Sequence, residues 1–174
     1  MCVDAFDVAF VAGEDEIMEK FRRFNHGLVM STEHDGLCGL EVTQAELGLQ
    51  CQAVGGYMPN LNMGGWIGER KYVLHVFAEA ERVRRPRPVN PSYNYDVLIQ
   101  WLMEMKAFGG GDGAAFDADW HCAIFQSMNK ADVMWDADGK RLTNTVTRTK
   151  PCVLHYNGDK SLVRYDQDVK RILA

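Results

Sequence analysis

No apolar run in this chain approaches the length of a membrane span, and Met1 is not followed by the regions of a signal peptide. Excess positive charge is missing too. The formal net charge is −5 at pH 7, which excludes a broad basic surface for a nucleic-acid backbone. The one basic cluster, Arg82-Val83-Arg84-Arg85-Pro86-Arg87-Pro88, reads as the solvated end of a helix running into a linker. The five cysteines (Cys2, Cys38, Cys51, Cys122, Cys152) are odd in number and lack CxxC spacing, which argues against a zinc module. Cys38 and Cys51 could close a small loop in an oxidising compartment. Asn90-Pro91-Ser92 carries the proline that forbids N-glycosylation, so no sequon is usable. There are no internal repeats and no low-complexity tracts.

What remains is an ordinary globular composition: 174 residues, 47% hydrophobic and 25% charged, enough for one domain over 1–174 with a real core. Residues 2–11 are apolar around Asp4 and Asp7 and read as a short buried strand. Glu14 to Asn25 is a helix, with Ile17, Phe21 and Phe24 on one face, an acidic first turn and a basic end, stopped by Gly27. Leu28 to Glu33 is a second buried strand. Asn60 to Gly68 reads as a tight backbone region opening onto a helix from about Glu69 to Val83. A proline-rich linker separates that helix from another, about Tyr93 to Phe108, buried through Val97, Leu98, Trp101, Leu102 and Met105, with Met103 and Met105 as core packing. The last third turns to strands: Cys122 to Gln126, a hairpin of Val133–Trp135 and Arg141–Thr147, and Cys152 to His155. Leu162 to Leu173 closes the chain as a helix. The order is mixed α/β.

Two short pieces at opposite ends carry chemistry. Val3-Asp4-Ala5-Phe6-Asp7-Val8 sets a D-x-x-D where a strand meets a loop, and Leu154-His155-Tyr156-Asn157-Gly158-Asp159 sets a histidine at another such point. Two carboxylates and an imidazole suit a divalent ion such as Mn²⁺, which can hold the diphosphate of a nucleotide-sugar. Asn157-Gly158 permits a left-handed turn whose backbone N–H groups face an anion, with Lys160 and Ser161 within reach of a phosphate oxygen. Asp136-Ala137-Asp138-Gly139 lacks the further oxygen ligands of a calcium loop and reads as a hairpin turn. Gly109-Gly110-Gly111-Asp112-Gly113 lacks the Gly-Lys-Ser/Thr of a P-loop and reads as a flexible connection.

In order along the chain these pieces resemble the glycosyltransferase domain of the procollagen lysyl hydroxylase/glycosyltransferases. Val3 to Val8 resembles that family's V-D-x-Y/F-D-V, and Ser31-Thr32-Glu33 falls at its S-A-E. Asn62-Met63-Gly64-Gly65-Trp66-Ile67-Gly68 is similar to N-S-G-G-F-I-G, and Ile124 to Asn129 to I-F-Q-N-L-N. Pro151 to Gly158 is similar to P-V-V-V-H-G-N-G.

The resemblance implies a GT-A-like, Rossmann-like mixed sheet flanked by helices. It implies transfer of a hexose, glucose or galactose, from a UDP-sugar to a hydroxyl acceptor, a protein or glycan of glycosylated-hydroxylysine type. Asp4, Asp7 and His155 would hold Mn²⁺, and Phe6, Asn157, Gly158 and Lys160 would bind the nucleotide-sugar. Glu33, Asn62 and Asp96 would face the sugar or acceptor, Asp96 matching the last aspartate of the family's acidic run. The family's D-x-x-D follows an N-terminal βαβ half that supplies uridine binding, whereas three residues precede Asp4 here. The chain is therefore expected to be the C-terminal part of such a domain. The resemblance also implies an ER or Golgi lumen. The alternative reading is a non-catalytic GT-A-like module that keeps the fold for binding.

Overall fold

The computed structural model describes residues 1–34, 58, 60–84, 99 and 116–174, the side chains of 83–84 and 159–163 excepted. Its organising element is a strand buried on both faces, Leu28–Glu33. Successive side chains of a strand point to opposite sides. Leu28 and Met30 accordingly enter one apolar cluster with Leu61, Val76, Ala80 and Ala118. Val29 enters another with Ile17, Ile67, Phe125 and Val153. Helices thus cover both faces of the sheet, the layered arrangement of a mixed α/β protein compatible with a Rossmann-like fold.

In chain order the strands are β1 (Cys2–Val3), β2 (Val8–Phe10), β3 (Leu28–Glu33), β4 (Asn60–Gly68), β5 (Asp117–Ala118), β6 (Phe125–Ser127), β7 (Val133–Trp135), β8 (Leu142–Asn144) and β9 (Val153–His155). The helices are α1 (Glu14–Phe24), α2 (Arg70–Arg84) and α3 (Asp159–Leu173). Among the described residues these strands form the sheets β1-β4-β3-β5 and β2-β9-β6 and the hairpin β7-β8. Both helix-covered sheets mix parallel and antiparallel pairs, β3 running parallel to β5 and β6 parallel to β9. A third apolar cluster, Ala9, Met128, Leu142, Leu154 and Tyr156, seats α3 through Tyr165, Val169 and Ile172. Arg141 makes a two-pronged bridge to Glu16 at 2.7 and 2.8 Å, tying the hairpin to α1.

Several sequence expectations need correction. The apolar stretch 2–11 is two strands, because Val3 pairs with Gly65 in the first sheet and Val8 with His155 in the second. Residues between them cross from sheet to sheet and cannot stay in one ladder. Asn60–Gly68 is a nine-residue strand, since pairing with β3 at Asn60–Asn62 and Trp66–Gly68, and with β1 at Gly65 and Trp66, overrides the weak strand preference of Gly64 and Gly65. The left-handed residue that ends α1 is Asn25 (φ 53°), two positions before the expected glycine. The strand expected from Cys122 begins at Phe125, because Cys122 itself has φ 55°. The hairpin, the β9 strand and the dipole-matched α1 agree with expectation. Of the expected Tyr93–Phe108 helix only Ile99, helical and buried, is among the described residues. Cys38 and Cys51 lie outside them; Cys2, Cys122 and Cys152 are free thiols.

Candidate metal centre

The crossing between the two sheets is where the acids meet the histidine. β1 ends at Val3, and the Asp4 amide continues the attachment by donating to the Gly64 carbonyl at 3.1 Å. At the far end of the crossing the Asp7 carbonyl accepts the Tyr156 amide at 2.8 Å, next to the Val8–His155 pair. Asp4 is thereby fixed to the first sheet, and Asp7 and His155 to the second. One ligand atom from each of the three residues lies within 4.8 Å of the others. The Nε2 of His155 sits 3.3 Å from Asp4 Oδ2 and 3.4 Å from Asp7 Oδ2.

Burial differs across the trio. The histidine side chain is only 5% exposed, while those of Asp4 and Asp7 are 57% and 23% exposed. Burial pulls the imidazole pKa below its usual value, and the two carboxylates oppose that pull. The neutral ring that results is the form that ligates a metal. Gly64 backs this ring: a Cβ built there would fall 2.0 Å from Cε1 and 2.5 Å from Nδ1. Nδ1 is buried without a hydrogen-bond partner, on the edge that faces Gly64.

A second polar group adjoins the trio on β3, β6 and the segment after β9. Ser127 pairs with His155 across the ladder, and its Oγ donates to Asn157 Oδ1 at 2.6 Å. The Asn157 amide in turn donates to the Glu33 carboxylate at the buried end of β3. Gly158 follows at φ 84° and ψ 150°, a backbone state open essentially to glycine alone, and stands as the N-cap of α3.

Of the expected site residues, Asp4, Asp7 and His155 come together and Asn157 meets Glu33, while Phe6 (90% exposed) lies in the crossing between Asp4 and Asp7. Asn62, expected at the sugar or acceptor, has its Oδ1 accepting the backbone N–H of Gly64 at 2.8 Å. Asp96 and the Lys160 side chain lie outside the described residues. Two features escaped sequence reading. One is the contact of Gly64 with His155, for which the only sign was a glycine pair inside a strand. The other is Asp119, fully buried, whose carboxylate accepts the amides of Ala123, Ile124 and Phe125 at 2.7 to 2.8 Å and so launches β6. No sequence signal distinguished it from Asp117, two residues earlier.

No protein-family model matches the chain. Among curated proteins it is 28% identical over 167 residues to procollagen-lysine,2-oxoglutarate 5-dioxygenase 2 of Mus musculus, and 27% over 170 residues to the same enzyme of Homo sapiens. These matches take in 93% and 95% of this chain but 21% of each relative. The chain spans about a fifth of the length of the curated relatives it matches. It is to procollagen-lysine-modifying enzymes, then, that this chain is similar.

Proposed function

We propose that this chain carries the metal–diphosphate centre of a Mn²⁺-dependent, GT-A-like glycosyltransferase that moves glucose or galactose from a UDP-sugar to a hydroxyl acceptor. The observation that carries this reading is the meeting of Asp4, Asp7 and His155, from opposite ends of the sequence, with their ligand atoms within 4.8 Å. Two carboxylates and a neutral imidazole fit a divalent ion of Mn²⁺ type, and the Gly64 cradle fits a ring that must hold one orientation. The ion, when bound, supplies Lewis-acid neutralisation of the departing diphosphate.

The remaining work falls to the chain's own groups. Phe6 offers an exposed phenyl face to the nucleotide. Gly158, Asn157 and Lys160 lie at the start of α3, where backbone N–H groups and the helix dipole favour phosphate oxygens. Glu33, held by Asn157 beside Ser127, is assigned to the sugar or acceptor, a role that Asp96, outside the described residues, shares by resemblance alone.

The relatives' printed name describes a 2-oxoglutarate dioxygenase acting on procollagen lysine. Iron oxygenases of that kind take two histidines and one carboxylate. The trio here has the reverse proportion, one histidine and two carboxylates, which favours transfer chemistry for this chain. The procollagen-lysine substrate of the relatives supports an acceptor of hydroxylysine type, and with it a secretory-pathway lumen.

The test is Mn²⁺-dependent release of UDP from UDP-glucose or UDP-galactose by the complete protein. Asp4→Ala and His155→Ala are each expected to lower it about a hundredfold or more. Turnover untouched by either change refutes the assignment. Binding of Mn²⁺ and UDP with no turnover would identify a binding module instead.

A further inference from the structure

The pairing of β3 with β4 is interrupted at one place. Met30 pairs with Trp66 and the next residue, Ser31, with Asn62, so the register skips Met63, Gly64 and Gly65. Such a bulge leaves backbone groups without ladder partners and bends the strand. Here three contacts of Gly64 bear on the candidate metal centre. The Gly64 N–H is taken by the Asn62 side chain at 2.8 Å, closing an Asx turn. The Gly64 carbonyl takes the Asp4 N–H at 3.1 Å. The Cα face of Gly64 takes the His155 ring, with no room for a methyl group between them. Asn62 is itself buried, at 8% exposure.

We infer that Asn62 is a positioning residue of the metal centre: its carboxamide oxygen holds the Gly64 bulge in the shape that seats Asp4 and His155 together. This rests on the metal reading above and departs from it in one respect, since it takes Asn62 away from the sugar. The side chain acts through Gly64 on two ligands drawn from different sheets. Outer groups that orient metal ligands in this way commonly change affinity by about 10- to 100-fold when removed.

The experiment has a metal-free arm and a metal arm, both on the full chain. Without metal, Asn62→Ala is expected to speed hydrogen exchange at the Gly64 and Asp4 amides and to shift the His155 imidazole resonances. Asn62→Asp keeps an acceptor oxygen in the Asx turn and should preserve both signals. In a Mn²⁺ titration followed by electron paramagnetic resonance, Asn62→Ala should bind about 10- to 100-fold more weakly. Asn62→Asp should bind no more weakly than the wild type by about threefold, because the turn survives. Wild-type exchange and Mn²⁺ affinity in Asn62→Ala overturn the inference, as does loss of Gly64 protection in Asn62→Asp. Should the wild type bind no Mn²⁺, the metal reading falls, and the exchange and resonance data still decide whether Asn62 holds the bulge.

Discussion

Replacing Gly64 with alanine would place a methyl carbon 2.0 Å from Cε1, 2.5 Å from Nδ1 and 2.7 Å from Nε2 of His155. Non-bonded carbons settle near 3.5 Å, so ring and strand must part by about 1.5 Å. The Gly64 backbone is not left-handed, so the clash alone sets the cost. Overpacking of this kind destabilises by about 1–3 kcal/mol, roughly 3 to 10 °C in Tm for a chain of this length. Metal ligation tolerates much less movement, about 0.2 Å in a ligand distance. Gly64→Ala should therefore lose at least about tenfold in Mn²⁺ affinity while still folding. Gly65→Ala is the matched control. Its Cβ would meet Phe125 at 2.8 Å rather than the histidine, so it should lose stability and keep affinity. Mn²⁺ titration and thermal unfolding of the two variants side by side provide the measurement. Wild-type affinity in Gly64→Ala, or equal losses in both variants, would refute the reasoning.

Asp119→Ala strips three amides, two of them buried, of their acceptor and should cost about 3 kcal/mol or more in urea unfolding; a loss below about 1 kcal/mol would show that other groups carry β6. Burial raises the Asp119 carboxyl to about 6 in the fold, above its ordinary 3.8. Its contribution is therefore present at low pH and declines, by about 3 kcal/mol, as pH rises from about 4 to 6. Wild-type stability should fall across that window, and a flat profile contradicts the shift. Glu16 behaves oppositely: chiefly through its hydrogen bonds to Arg141, its pKa drops from 4.5 to about 2. Its contribution, held to about 1 kcal/mol by partial exposure, is complete at neutral pH and disappears as pH falls from 4.5 toward 2. Glu16→Gln should thus be destabilising at pH 7 and progressively less so in acid, as urea midpoints at several pH values would reveal. Tyr156→Phe removes the hydroxyl that donates to buried Asp168 at 3.1 Å and should cost about 1–1.5 kcal/mol without altering Mn²⁺ affinity.

Local signals carried much of the fold. The i, i+4, i+7 spacing of Ile17, Phe21 and Phe24 marked α1, and the Asp136–Lys140 turn between apolar runs marked the hairpin. What escaped depends on pairing between distant segments. The break at Asp4–Asp7 exists because Val3 and Val8 find partners in different sheets, which no periodicity within residues 2–11 encodes. Asn60–Gly68 carries two adjacent glycines and looks like a turn until β3 lies beside it. The trio itself was legible as residue types at two strand ends. The side-chain partnerships around it, Asn62 with Gly64 and Asn157 with Glu33, were not, since an asparagine's composition leaves its hydrogen-bond partner open.

The passage of residues 4–7 from the first sheet to the second makes the candidate centre a seam. Asp4 travels with one sheet, Asp7 and His155 with the other, and only a short piece of backbone joins them covalently at this point. A divalent ion seated there would act as a rivet, and its binding free energy would count directly against separation of the two layers. At a hundredfold excess over Kd that is about 2.7 kcal/mol. The reverse also holds by linkage: whatever loosens the contact between the sheets, even far from the acids, weakens the grip on the ion. Metal affinity at such a seam would be a gauge of how firmly the two sheets are pressed together.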